Sequence, residues 1–173
     1  MTKDDFEAAF DERLGSRLSA FGFSSYGRHL SLFNDTITLS LIRLGGRLAR
    51  TGSISQVLCC RHTFLREMEN GVPLKPTFEV HDYPFKFRPL EDAAGDKSYR
   101  PQNLSFDYER LRWEGVEDQS VIEKLDMLAT HIEETYLPWA NSLSLEKAAT
   151  QIEQNGEDAW CERRWLEDYG AHI

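Results

Sequence analysis

Cysteine is scarce in this chain: three in 173 residues, at positions 59, 60 and 161. Two of them are adjacent, so they build no disulfide framework of the kind small secreted domains use. A zinc site needs a C-x₂₋₄-C pair and two further ligands at similar spacing. The chain has no second cysteine pair, and His29, His81 and His131 are scattered. No metal and no cofactor is therefore expected. Phosphate loops are also missing: "LGGRLARTG" contains glycines but fits neither G-x-x-x-x-G-K-[ST] nor G-x-G-x-x-G. Neither G-x-S-x-G nor H-E-x-x-H occurs. No apolar run approaches the ~20 residues that cross a bilayer. The start, "MTKDDFEAAFDERLG", is acidic and amphipathic, whereas a secretory signal opens basic and turns apolar. No membrane association and a reducing cytoplasm are the expectations that follow.

The material that is present suits one packed domain. Hydrophobic residues make up 40% and aromatics 12%, too rich in rings for a disordered chain. The net charge is -9, unevenly spread. Residues 28 to 66 sum to +5, from six arginines and one acid, and residues 117 to 173 sum to -9. Phosphate contact needs a net basic face, so the acidic total argues against nucleic acid as a partner.

Periodicity divides the chain into helix, strands and helices. Phe6, Phe10, Leu14 and Leu18 recur every four residues behind a Thr2 cap, which predicts an N-terminal helix with a buried stripe. "GFSSYG" stops it. "HLSLF" and "TITLSLIRL" flank Asn34-Asp35, a two-residue turn candidate. Alternation in the second strand predicts Ile37, Leu39 and Leu41 in the core, with Thr36, Thr38, Ser40 and Ile42 on a largely solvated face. "ISQVLCCRH" reads as a third strand and "TFLREMENG" as a short helix closed by Gly71. Four prolines in "VPLKPTFEVHDYPFKFRP" predict edge strands and turns. "NLSFDYERLRW" reads as a further strand with Leu104, Phe106 and Tyr108 inward and Asp107 and Glu109 on a solvated face. Val121, Leu125, Leu128, Ile132 and Tyr136 mark a long helix capped at Asp118 or Ser120, which Pro138 ends or bends. Ser144 caps the next helix, Asn155-Gly156 stops it, and "EDAWCERRWLEDYG" reads as the last. The order is α+β: an N-terminal helix, an antiparallel meander of about four to six strands, and C-terminal helices on one face. The expected division is an α+β domain over 1–143 and a helical extension over 144–173 packed on it.

The N-terminal helix, the "LSAFGF" break and the strands "YGRHLSLF" and "TITLSLIRL", closed by "VIEKLDMLATHIEETYLPWANSL", resemble small bacterial proteins known as a domain of unknown function. The resemblance covers residues 4 to 145. Some members of such families look like immunity proteins beside toxin genes. The resemblance implies that type of role and carries no catalytic residues.

Three groups of residues are candidates for chemistry or contact. In a strand, Cys60 and His62 share a face and Cys59 points away. Buried core packing is the first reading of the pair, and a catalytic thiol with a distant histidine the second. Arg43, Arg47 and Arg50 surround a Gly-Gly turn. They suit a carboxylate or phosphate, or ion pairs with the acidic C-terminal helices. The tail sets Trp160 and Trp165 among Glu157, Asp158, Glu162 and Asp168, a composition typical of interface centres. Five residues on a helix turn by roughly 140°, so the two rings take different faces. The expected function is a non-catalytic binding protein, of the immunity or inhibitor type, whose acidic, Trp-containing surface covers a basic site on a toxin or enzyme. The alternatives are a small intracellular enzyme using His62, Cys60 or the carboxylate of "HDYP", and an accessory subunit of a larger assembly.

Overall fold

The first helix begins where the sequence caps it. Asp5 N–H donates to Thr2 Oγ1 at 3.2 Å, and Thr2 N–H donates back to Asp5 Oδ2 at 3.1 Å, a reciprocal capping box. The computed structural model describes residues 1–47, 51–65, 68–69, 72–73, 78–92, 97, 99–101 and 108–170. In it α1 (Lys3–Phe10) passes through one π turn (Asp11–Gly15) into α2 (Ser16–Ser19). A stripe with strict spacing of four drifts by about 40° per step on an α-helix. The wider π turn offsets that drift, and Phe6, Phe10, Leu14 and Leu18 all stay at 0–1% exposure.

Among the described residues, six strands form one antiparallel sheet in the order β1-β2-β3-β4-β7, with β8 also paired to β4. They are β1 (Ser24–Tyr26), β2 (His29–Phe33), β3 (Ile37–Leu44), β4 (Ser53–His62), β7 (Phe85–Phe87) and β8 (Glu109–Arg112). The β2–β3 turn lies one residue later than expected. Asn34 still pairs, donating its N–H to Ile37 O at 3.0 Å. Its Oδ1 accepts from the N–H groups of Thr36 at 2.9 Å and Ile37 at 2.8 Å, so Asp35-Thr36 is the turn. In place of the expected helix at "TFLREMENG", β5 (Met68–Glu69) pairs with β6 (Val72–Pro73). Asn70-Gly71 between them is a strong two-residue hairpin signal in the sequence, and both residues lie outside the described ones.

One sheet face carries Leu30, Leu39, Leu41, Leu58, Cys60, Phe85 and Phe87 into the main core under the helices. The middle of the other face is covered too, contrary to the alternation argument, while Thr38 and Phe33 at its end stay partly exposed. Tyr83, after a 3₁₀ turn (Val80–Asp82), lies over it and packs with Ile42, Val57 and Cys59. A hydrogen-bonded chain satisfies the polar members: Ser31 Oγ to Ser40 Oγ at 2.8 Å, and Ser40 Oγ with Tyr83 Oη at 3.0 Å. Burial on both faces makes all ten residues of β4 buried.

The long helix starts at Asp118 with Glu117 at the cap position and no side-chain cap, so neither Asp118 nor Ser120 fills that role. Pro138 does not end it. α3 (Asp118–His131) enters a π turn (Ile132–Tyr136) and continues as α4 (Leu137–Ser142). Proline has no N–H for the i−4 carbonyl, and a changed register one turn earlier accommodates that loss. α5 (Leu145–Glu153) and α6 (Trp160–Gly170) follow, and Ala148, Ile152, Ala159 and Trp165 join the same core.

Candidate interaction surface

The C-terminal extension is built by local signals and anchored by two of its own candidate residues. Ser144 Oγ accepts from Lys147 N–H at 3.3 Å to start α5. Gly156, at φ +56°, supplies the left-handed residue that turns the chain toward α6. The two tryptophans separate as their rotation requires. Trp165 is 6% exposed and packs in the core, whereas Trp160 is 61% exposed. Glu162 is fully buried on the inward side with Trp165. Glu157 and Asp158 are exposed beside Trp160, and Asp168 is half-buried and pairs with Arg164 Nε at 3.1 Å. Of the six tail residues nominated by sequence, Glu157, Asp158 and Trp160 therefore form one outer surface. Glu162 and Trp165 lie beneath the helix, because an amphipathic helix docked on a core must turn one side inward.

Arg43 and Arg47 take different environments. Arg43 is buried. Its Nη1 and Nη2 donate to Glu7 Oε2 and Oε1 at 2.8 and 2.6 Å, and its guanidinium lies 4.4 Å from the Phe10 ring centroid. Arg43 holds the Glu7 carboxyl below its ordinary pKa, chiefly through that hydrogen bond. Arg47 is exposed, and Arg50 lies outside the described residues. The expected pairing with acidic C-terminal helices is made by another residue: Arg17 donates to Glu133 Oε2 at 2.6 Å and Thr130 Oγ1 at 3.0 Å.

The groups proposed for an enzyme are divided by the sheet, with Cys60 and His62 buried and Asp82 half-buried. Cys60 and His62 face the helices, and His62 Nε2 sits 2.8 Å from the Ala140 carbonyl. Asp82 belongs to the opposite face, where its carbonyl accepts from Arg61. Among the described residues, no group of three or more His, Cys, Asp or Glu side chains is placed to hold a metal ion, and no helix is long and apolar enough to cross a membrane. Burial pushes both the Cys59 and Cys60 thiols far up, so neither forms the thiolate that alkylation needs. Iodoacetamide should therefore label native protein only at half-buried Cys161, and all three cysteines after denaturation. Mass spectrometry reads the count, and label on native Cys60 would overturn its place in the core.

Two further buried ionisable groups are Lys86 and Glu109. Lys86 on β7 is 3% exposed, and burial lowers its amine pKa against the opposing effect of Cys59 and Glu162. Glu109 was expected on a solvated face, but it is fully buried. It accepts from Gln56 Nε2 at 3.0 Å and from the Leu90 N–H. Its partner across the register is Gln56, and the next pair is Leu111 with Ile54, both apolar and inward. The inward positions of this strand are 109, 111 and 113, the opposite parity to the one expected. Asp107, Leu104 and Phe106 lie outside the described residues.

Burial pushes the Glu109 carboxyl up to about 7 from 4.5, while its two hydrogen bonds oppose the rise. The folded chain thus keeps a proton that the unfolded chain releases near pH 4.5. The stabilisation is complete below that pH and is lost as pH rises through about 7. Glu109→Gln should flatten the fall of melting temperature across that window. A variant that keeps the wild-type slope would assign it to other groups.

Compared with known protein families, with curated proteins and with solved structures, the chain matches none.

Proposed function

We propose that this chain is a non-catalytic binding protein whose acidic, Trp-bearing C-terminal surface covers a basic site on a protein partner. Trp160 is the observation that supports this most. Its ring is 61% exposed although the fold has no need of it, since Trp165 already fastens α6 to the core. A large ring framed by charges is the usual composition of an interface centre. The helix that carries it is already ordered, so little conformational entropy is lost on docking. The -9 charge of residues 117 to 173 favours encounter with a basic face and gives the complex a salt-sensitive association rate. A bacterial immunity or inhibitor protein that neutralises a toxin or enzyme in the cytoplasm is the role in which those properties fit best.

The test is affinity capture from the native host with two baits, the wild-type chain and a variant with Glu157 and Asp158 changed to lysine. The expected partner is basic, is released as salt rises, and is lost from the reversed bait. A partner that ignores both salt and reversal would place the binding face elsewhere.

A further inference from the structure

A cleft of ≈ 160 Å³ lies between the N-terminal helix and the β1–β2 hairpin. Its charges are segregated. Glu7 and Asp11 line the helix side, and Arg28, His29 and Arg43 line the strand side. The Glu7–Arg43 pair spans it at 2.6 and 2.8 Å. Arg43 is only 5% exposed, and its Nε has no hydrogen-bond partner. That nitrogen has almost no accessible surface, so Arg43 gives the cleft its charge and no free donor.

The remaining groups are arranged as donors on one wall and an acceptor on the other. His29 Nδ1 accepts from the Arg43 N–H at 3.1 Å, so the neutral ring carries its proton on Nε2. Burial, Arg28 and Arg43 all hold the His29 pKa down and keep that neutral form. The Arg28 guanidinium rests against Gly45, where an added Cβ would sit 2.5 Å from Nη1. Among the described residues, neither the Arg28 nor the Asp11 side chain has a hydrogen-bond or ion-pair partner. They line one cleft without pairing with each other.

A lone anion in this cleft would meet Glu7 and Asp11, and a lone cation would meet the two arginines. A ligand with both charges meets neither conflict. We propose that the cleft binds a small zwitterion, a free α-amino acid, with its carboxylate on Arg28 and His29 Nε2 and its ammonium on Asp11 and Glu7. The volume sets the size class. Drug-sized ligands occupy about 300–1,000 Å³, so this cleft takes a molecule of a few heavy atoms. Phe10 and Leu30 give it an apolar wall for a short side chain. Arginine is suited to the carboxylate because its planar fork matches two oxygens.

Isothermal titration of the full chain at low salt tests the proposal, with the standard amino acids as ligands and acetate and methylammonium as single-charge controls. The expected result is saturable one-to-one binding of a subset of amino acids, with both controls weaker by at least roughly tenfold. Arg28→Gln and Asp11→Asn should each weaken that binding by roughly tenfold or more. Both side chains are exposed, so melting curves of the two variants should match wild type. Glu157→Lys should leave amino-acid binding unchanged, which keeps this site separate from the acidic surface. Absence of saturable heat with every amino acid at about 10 mM would overturn the proposal. Acetate binding as tightly as the best amino acid would reduce the cleft to an anion contact and overturn it equally. Unchanged affinity in both variants would place the ligand elsewhere.

Discussion

Phe10→Ala should cost ~3–5 kcal/mol of unfolding free energy, the usual range for a fully buried phenylalanine. Phe10 is 1% exposed, its ring centroid lies 6.2 Å from that of Phe6, and it forms the platform under the Arg43 guanidinium. Truncation removes the ring's own burial, leaves a cavity beneath α1, and takes away the cation–π contact of a buried charge. Domains have about 5–15 kcal/mol in total, so the variant would retain a fraction of its stability. For a chain of this size the melting temperature should fall by roughly 6–20 °C. Urea titration with linear extrapolation measures the loss. An unchanged midpoint would show that the four-residue stripe is not the core of the N-terminal helix.

The two tail tryptophans should give opposite results from the same substitution. Trp165→Ala should cost ~3–5 kcal/mol of stability, because the ring is 6% exposed within the core. Trp160→Ala should change stability by no more than about 0.5 kcal/mol, since the ring is 61% exposed. For partner binding the order reverses. Loss of an interface-centre tryptophan costs more than ~2 kcal/mol, roughly 30-fold in affinity. Trp160→Ala should show that loss with an intact melting curve, whereas Trp165→Ala should bind poorly only to the extent that it unfolds. If Trp160→Ala instead melts early and binds normally, the ring belongs to the fold and the acidic surface loses its centre.

Glu109 shows where one-dimensional patterning misleads. Leu104, Phe106 and Tyr108 set an inward parity that made Glu109 an outward residue, yet Tyr108 is 40% exposed and Glu109 is buried. β8 starts only at Glu109, and pairing with β4 decides its faces: Gln56 opposite Glu109, Ile54 opposite Leu111. A shift of one residue exchanges every side chain between faces, and a single strand cannot report which face a partner will cover. The second face of β3 carries the same lesson. Thr38, Ser40 and Ile42 alternate as a half-solvated strand should, but Tyr83 returns over Ser40 and Ile42 and converts that part of the row into a hydrogen-bonded interior.

Elements whose stabilising signals lie within a few residues of one another were legible from the chain alone. These are the capped N-terminal helix with its stripe, the β2–β3 hairpin, the strand through Cys59 and Cys60, and the helices beginning near Asp118, at Ser144 and near Trp160. The α+β order follows from them, and so does the separation of Trp160 from Trp165 onto different faces. The contacts that make the sites were not legible. Arg43 meets Glu7 across 36 positions and Gln56 meets Glu109 across 53. Whether Glu162 faces a partner or lies under its own helix depends on what α6 docks against. Periodicity records which side of an element is apolar. It does not record which other element arrives there, because that depends on register and on the path by which the chain returns.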